Sequence, residues 1–191
     1  MTWTLQEAIN RTGVLKEGHF LLSSGRHSNR YMQCALLLMH PSDAEETGRA
    51  LADRFRDLSV DIVVGPALGG VIIAHETARA LGVPCLFAER REGVMTLRRG
   101  FSVKPGQKVL VVEDVVTTGG SVKEVIALLE ETGAEILAVG SIIDRTGGNN
   151  PFPVRYEALM SVEIESWTPE ECPLCKQGIP AEKPGSRTSK K

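Results

Sequence analysis

The run Lys108-Val109-Leu110-Val111-Val112 leads without a break into Glu113-Asp114-Val115-Val116-Thr117-Thr118-Gly119-Gly120-Ser121, and it restricts the folds open to this chain more than any other stretch. A continuous β-branched and aliphatic run of this length reads as a strand buried on both faces. The two carboxylates close that strand. Beyond the glycines, Val122, Val125, Ile126 and Leu129 recur at helical spacing. The chain therefore passes from a buried strand, through a loop of small residues, directly into a helix N-terminus.

That arrangement suits a phosphate monoester. Glycines let the backbone approach a ligand, the first amides of a helix point outward, and the hydroxyls of Thr117, Thr118 and Ser121 add donors. Glu113 and Asp114 would repel phosphate, so their partner must donate protons. An ionised carboxylate only accepts, and a sugar diol offers two donors. A phosphate cradle beside a diol acceptor describes a ribose 5-phosphate site. No Gly-Lys-Ser/Thr follows the glycines and no GxGxxG is present, which sets aside the P-loop and the dinucleotide fingerprint.

A second unit of the same kind precedes it. Asp61-Ile62-Val63-Val64 reads as a short buried strand, and Gly65-Pro66-Ala67-Leu68-Gly69-Gly70 leads into a helix carrying Val71, Ala74, Ala78 and Leu81 that stops at Gly82. Loops at the carboxyl ends of parallel strands gather along one edge, where ligands bind. After a third strand, Pro84 to Phe87, residues 88–102 form a connection longer than a compact domain needs, with Arg90, Arg91, Arg98 and Arg99 in two pairs. Arginine binds phosphate oxygens bidentately, so a basic lid could close over an anionic leaving group. A further strand, Glu135 to Ile143, ends in Asp144-Arg145, which puts a guanidinium beside the same edge.

Elsewhere the sequence is scaffold. Thr4 and Glu7 form a capping box for a first helix bearing Leu5, Ala8, Ile9 and Thr12, and Ser42 with Glu45 reads as another, with Phe55 and Leu58 continuing its pattern. The stretch His19 to Met32 reads as a hairpin, and 153–165 as one or two strands that could pair with it. The 191 residues suit one domain, residues 1–168, followed by an irregular tail at 169–191 whose end is expected to be disordered. The net charge of −2 argues against nucleic acid as partner. No apolar run reaches membrane-spanning length, and the N-terminus lacks the regions of a signal peptide, so a cytoplasmic location is expected.

The central motif resembles the phosphoribosyl-pyrophosphate signature of type I phosphoribosyltransferases, and residues 13–148 as a whole resemble the orotate phosphoribosyltransferase family. The resemblance implies an α/β fold: a central, mostly parallel sheet flanked by helices, with a small hood from the N-terminal segment and late strands. It implies transfer of a 5-phosphoribosyl group from phosphoribosyl pyrophosphate to orotate. Glu113, Asp114, Arg90 and Arg91 would be catalytic. Residues Glu113 to Ser121 (Val115, Val116, Thr117, Thr118, Gly119 and Gly120 between them), with Ala67, Leu68, Gly69, Arg90 and Arg91, would bind phosphoribosyl pyrophosphate. Thr117, Arg145, Tyr31 and Met32 would face orotate.

The family's arginine loop, here 88–102, reaches into the neighbouring subunit's site, which implies a homodimer. Magnesium would arrive on the substrate pyrophosphate, with no protein-built metal cage. Two departures stand out. Many relatives carry a lysine where this chain has Ser23, and the family's loop lysine and histidine have no counterpart at Val94 to Leu97, leaving Arg98 and Arg99 as candidates for their task. A purine-type phosphoribosyltransferase of the same fold and a non-catalytic phosphoribosyl-pyrophosphate sensor are the rival readings.

Cys172 and Cys175 have knuckle spacing, but a tetrahedral site wants four ligands. Cys34, Cys85 and the four histidines are too scattered in sequence to complete one. The expected state is a tail packed on the core with reduced thiols, with a half-site shared between two subunits as the alternative.

Overall fold

The computed structural model describes residues 3–22 and 24–184. The departure at Ser23 and the expected disorder of 185–191 lie outside the described residues. Six strands form the central sheet in the order β5-β4-β3-β6-β7-β8: β3 is Ile62–Pro66, β4 Cys85–Arg91, β5 Val94–Leu97, β6 Lys108–Val116, β7 Glu135–Asp144 and β8 Arg155–Ser161. All neighbours are parallel except β4 and β5. This is the α/β architecture that the buried apolar strands require.

Both faces of the sheet are covered because successive strand residues point to opposite sides. Val63, Leu110 and Val112 pack beneath α1 (Leu5–Thr12), α2 (Ala35–Leu38), α3 (Pro41–Asp53) and α4 (Gly69–Leu81). Ile62, Val64, Val109 and Val111 pack with Val122, Val125, Ile126 and Leu129 of α5 (Gly120–Glu130). Leu110 and Leu129 are fully buried, and truncating either to alanine would cost about 2–5 kcal/mol.

Local signals explain most helix ends. The Thr4 hydroxyl accepts from the Glu7 amide and starts α1, and Gly82, at φ 72°, ends α4. The Ser42–Glu45 box does not operate: α3 begins two residues earlier, at Pro41, with His40 as N-cap. Proline's fixed φ suits the first helical position, and it sets the start. The helix ends at Asp53, so Phe55 fills the core from the following turn.

The hood is a hairpin of β1 (Leu15–Leu21) and β2 (His27–Met32). The late strand does not join it. β8 extends the main sheet alongside β7. The chain reaches the hood only afterwards, through reciprocal backbone bonds of 2.8 Å between His27 and Trp167 and a bridge from Phe20 to Glu182. Between those contacts lies a short helix, α6 (Pro173–Lys176).

Candidate active site

The strand order reverses between β3 and β6. β3 leads through α4 to β4 on one side, and β6 leads through α5 to β7 on the other. A crevice opens outside the carboxyl ends of strands at such a point. Three sequence features converge on it: the loop after β3, the acids and turn of β6, and Arg145 after β7.

The acids do not close their strand. β6 continues through them because Val115 and Val116 pair with Ile143 and Asp144 of β7. Glu113 is buried, and its Oε1 accepts from the Asp114 amide at 3.1 Å. Asp114 Oδ1 accepts from the Val115 amide at 2.8 Å. Burial pushes the Asp114 carboxyl above its ordinary pKa, because the charged form loses water.

The β3 loop touches these acids directly. A Cβ on Gly69 would lie 2.6 Å from Asp114 Oδ1, so only glycine permits this approach. The peptide between Ala67 and Leu68 is cis, the Ala67 amide donates to the Ala88 carbonyl at 2.7 Å, and Leu68 is 78% exposed. The loop after β3 thus packs against the acid that precedes the turn at the end of β6.

At the start of α5, Gly119 adopts φ 73°, and a Cβ there would sit 2.7 Å from the Phe152 ring. As N-cap it supplies no side-chain cap. The helix's first backbone bond from this residue runs from the Lys123 amide to the Gly119 carbonyl at 2.9 Å. The amides before Lys123 precede the intrahelical ladder and present a partial positive charge outward. Thr117 and Thr118 are exposed beside them.

The arginine connection is mostly a β-hairpin. β4 runs on through Arg91 and turns at Glu92 and Gly93, at φ 53° and 88°, into β5. Positive φ at both turn residues matches the twist of a two-residue hairpin. Arg90 donates from Nε and Nη2 to the Glu124 carboxylate, both at 2.9 Å, and from Nη2 to the Ser121 hydroxyl at 3.3 Å. It therefore lies against the first turn of α5. Arg91 is exposed beside Glu92. Arg98 and Arg99 both face Glu89, at 3.5 and 3.1 Å, and Arg99 stacks 5.5 Å from the Phe87 ring. They brace the hairpin's base in this conformation.

Arg145 is anchored by its amide, which donates to the Val116 carbonyl at 2.8 Å. Its Nε is buried without a hydrogen-bond partner, as is the neighbouring Thr146 Oγ1. Asp144 does not pair with Arg145. It accepts from the Thr146 amide at 2.7 Å and from the Ser161 hydroxyl at 3.3 Å. Burial lowers the Arg145 pKa, with Tyr31 opposing the shift, yet a guanidinium stays charged.

Tyr31 is raised above its ordinary value, first by burial and then by Asp114 and Cys34, while Arg145 pulls it down. Tyr31 thus feels both the Asp114 carboxylate and the Arg145 guanidinium, which puts β2 of the hood in the electrostatic neighbourhood of the β6 acids and the end of β7. Met32 differs. Strand alternation turns it away from Tyr31, and the residue, 5% exposed, packs in the core cluster. Thr146 was not singled out in the sequence; its one signal is adjacency to Arg145 at a strand's carboxyl end.

Comparison with known proteins agrees with this geometry. The model for the phosphoribosyl transferase domain matches residues 37–174. The chain is 59% identical to the orotate phosphoribosyltransferase of Thermotoga maritima over 183 residues, covering 96% of this chain and 98% of that one. It is 57% identical to the orotate phosphoribosyltransferase of Pelotomaculum thermopropionicum, covering 94% of each. Among solved structures, the orotate phosphoribosyltransferase of Aeropyrum pernix superposes with a TM-score of 0.70 at 27% identity, covering 83% of this chain and 94% of that one.

Proposed function

The chain belongs to the orotate phosphoribosyltransferases, within the phosphoribosyl transferase domain family, and on that premise we propose how the crevice transfers a phosphoribosyl group from phosphoribosyl pyrophosphate to orotate. The reaction breaks the bond between the anomeric carbon and pyrophosphate and forms one to a ring nitrogen. Positive charge grows on the sugar and negative charge on the leaving group. Such a step gains most from orientation and fixed electrostatics.

In this reading the turn Thr117 to Ser121 and the first amides of α5 hold the 5-phosphate. Glu113 and Asp114 accept the ribose hydroxyls, close enough to the anomeric carbon to favour developing positive charge. Ala67, Leu68 and Gly69 line the place of the pyrophosphate. Gly69 supports this because its backbone packs on the Asp114 carboxylate. Arg90, already against Ser121, would exchange Glu124 for a phosphate oxygen, and exposed Arg91 would meet the leaving group when the hairpin moves.

Magnesium would arrive on the pyrophosphate, held mostly by substrate and water; the hard carboxylate oxygens of Glu113 and Asp114 suit such an ion, which would supply neutralisation of leaving-group charge. Homodimerisation belongs to the same reading and is supported by the exposed apolar side chains of Ile72 on α4 and Val94 at the tip of the arginine hairpin. So does a cytoplasmic location, which suits four free thiols. Among the described residues no helix is long and apolar enough to cross a membrane.

The observation that carries the choice of base is Arg145: a half-buried guanidinium, its Nε unpartnered, beside Tyr31. Orotate supplies the carboxylate that would satisfy it and a flat ring for the tyrosine. Purines lack that carboxylate. Pyrophosphate release should therefore occur with orotate and be at least about 100-fold slower with adenine or hypoxanthine, the discrimination expected when a buried charge is left unpaired. Equal turnover would overturn the base assignment, and no release with any base would leave a sensor.

A further inference from the structure

Outside the crevice, the seam between hood and tail gathers four side chains that the phosphoribosyl chemistry does not use. His19 lies on β1 and His27 opens β2, while Cys172 caps α6 and Cys175 lies within it. One donor atom from each falls within 4.8 Å of all the others. The Cys172 sulfur is 3.4 Å from His19 Nε2. The Cys175 sulfur is 3.3 Å from His27 Nδ1 and 3.8 Å from His19 Nε2. His19, His27 and Cys172 are buried.

We propose that His19 Nε2, His27 Nδ1, Cys172 Sγ and Cys175 Sγ form a closed tetrahedral site for a zinc-class divalent ion that fastens the tail to the hood. Zinc bonds of ~2.3 Å to sulfur and ~2.0 Å to nitrogen, at tetrahedral angles, separate sulfur from nitrogen by about 3.5 Å. The three sulfur–nitrogen distances straddle that value. The two ring nitrogens stand 2.7 Å apart, a hydrogen-bond separation that must open by about 0.6 Å to reach the tetrahedral spacing.

The His19 ring is already set for a metal, whereas His27 Nδ1, the donor in the 2.7 Å contact with His19 Nε2, must give up that proton to ligate. His19 Nδ1 lies 2.7 Å from the Ile179 carbonyl, which can only accept, so Nδ1 carries the proton and Nε2 turns its lone pair into the cluster. Two thiolates, two imidazoles and no carboxylate select a borderline-soft ion over magnesium or calcium. Four protein ligands leave no open position, which marks the site as structural.

The surroundings explain what such an ion would do. Backbone bonds hold the tail to the hood on both sides of the cysteine pair: Trp167 with His27, and Glu182 with His19 and Leu21. Thr168 and Glu171 form a reciprocal capping contact just before Cys172. The cysteines are therefore presented by an ordered turn. The ion would tie that turn to the hairpin whose second strand bears Tyr31.

The test uses the full chain, purified under reducing conditions, with metal content measured before and after removal by chelator and after reloading with zinc. About one zinc per chain is expected from four converging ligands. Reloading the stripped protein with cobalt should give the visible bands of a tetrahedral ion and a thiolate charge-transfer band. The Cys172→Ser and Cys175→Ser variants should lose at least tenfold in occupancy, whereas Cys85→Ser should keep it. Stripping should lower the melting temperature reversibly. A parent protein that retains no zinc and gives no thiolate–cobalt band on reloading overturns the proposal, independently of whether any variant folds. So does metal that stays bound in the Cys172→Ser, Cys175→Ser double variant.

Discussion

Replacing Arg145 by alanine separates recognition from scaffolding, because the guanidinium sits half-buried with its Nε unpartnered in the free protein. In the complex it would face the orotate carboxylate. Removing one partner of such a charge-assisted pair costs about 2–4 kcal/mol in transition-state binding. That is roughly a 30- to 1,000-fold loss in kcat/KM for orotate. The ribosyl donor meets other residues, so its Kd should change by less than about threefold.

Stability should barely respond to the same substitution. Deleting a buried donor that lacks a partner relieves about 1–3 kcal/mol, which offsets the packing lost with the side-chain stem. A net change within about 1 kcal/mol would move the melting temperature by no more than about 4 °C in a chain of this size. Arg145→Lys should recover only part of the activity, since lysine restores the charge but not the planar fork. Steady-state kinetics, calorimetry with phosphoribosyl pyrophosphate and thermal melts give the three readouts. Equal losses for both substrates, or a melting temperature lowered by 10 °C, would show that Arg145 supports the fold and does not read the base.

Two further outcomes follow from the acids and their glycine. Gly69→Ala places a methyl 2.6 Å from Asp114 Oδ1; calorimetry should show weaker phosphoribosyl-pyrophosphate binding, with a melt consistent with an overpacking cost of about 1–3 kcal/mol. The Asp114 carboxyl, raised by burial, should protonate above the ordinary carboxylate range as pH falls, and donor affinity should fall with it. Asp114→Asn should flatten that limb. Because the folded-state pKa is the raised one, the parent loses stability as pH rises from the unfolded value through the folded value. The Asn variant should therefore match the parent in acid and melt higher at neutral pH; an unchanged pH profile would remove Asp114 from the diol-holding role.

What the sequence made legible is what local physics controls. The buried run of β6, the Thr4 cap, the stop at Gly82 and the two glycine loops each follow from residues within a few positions of one another. What it left hidden depends on distant pairing. The acids belong inside β6 because β7 lies alongside them, and the reach of β4 through Arg91 depends on β5 folding back. β8 chose the edge of the main sheet over the hood because β7 offered a free parallel partner. The cysteine pair shows the limit most sharply: its histidine neighbours stand about 150 positions away in sequence. No spacing rule could have joined them, since all six strands of the central sheet lie between hood and tail in the sequence.

The central claim is that the turn at the end of β6 grips the sugar's phosphate while the acids hold its hydroxyls. Backbone amide chemical shifts of the isotope-labelled chain, followed during titration with ribose 5-phosphate, test it most directly. The largest and saturable shifts should fall on Thr118, Gly119, Gly120, Ser121 and Val122. Saturable binding that leaves those amides unmoved and shifts residues elsewhere would contradict it.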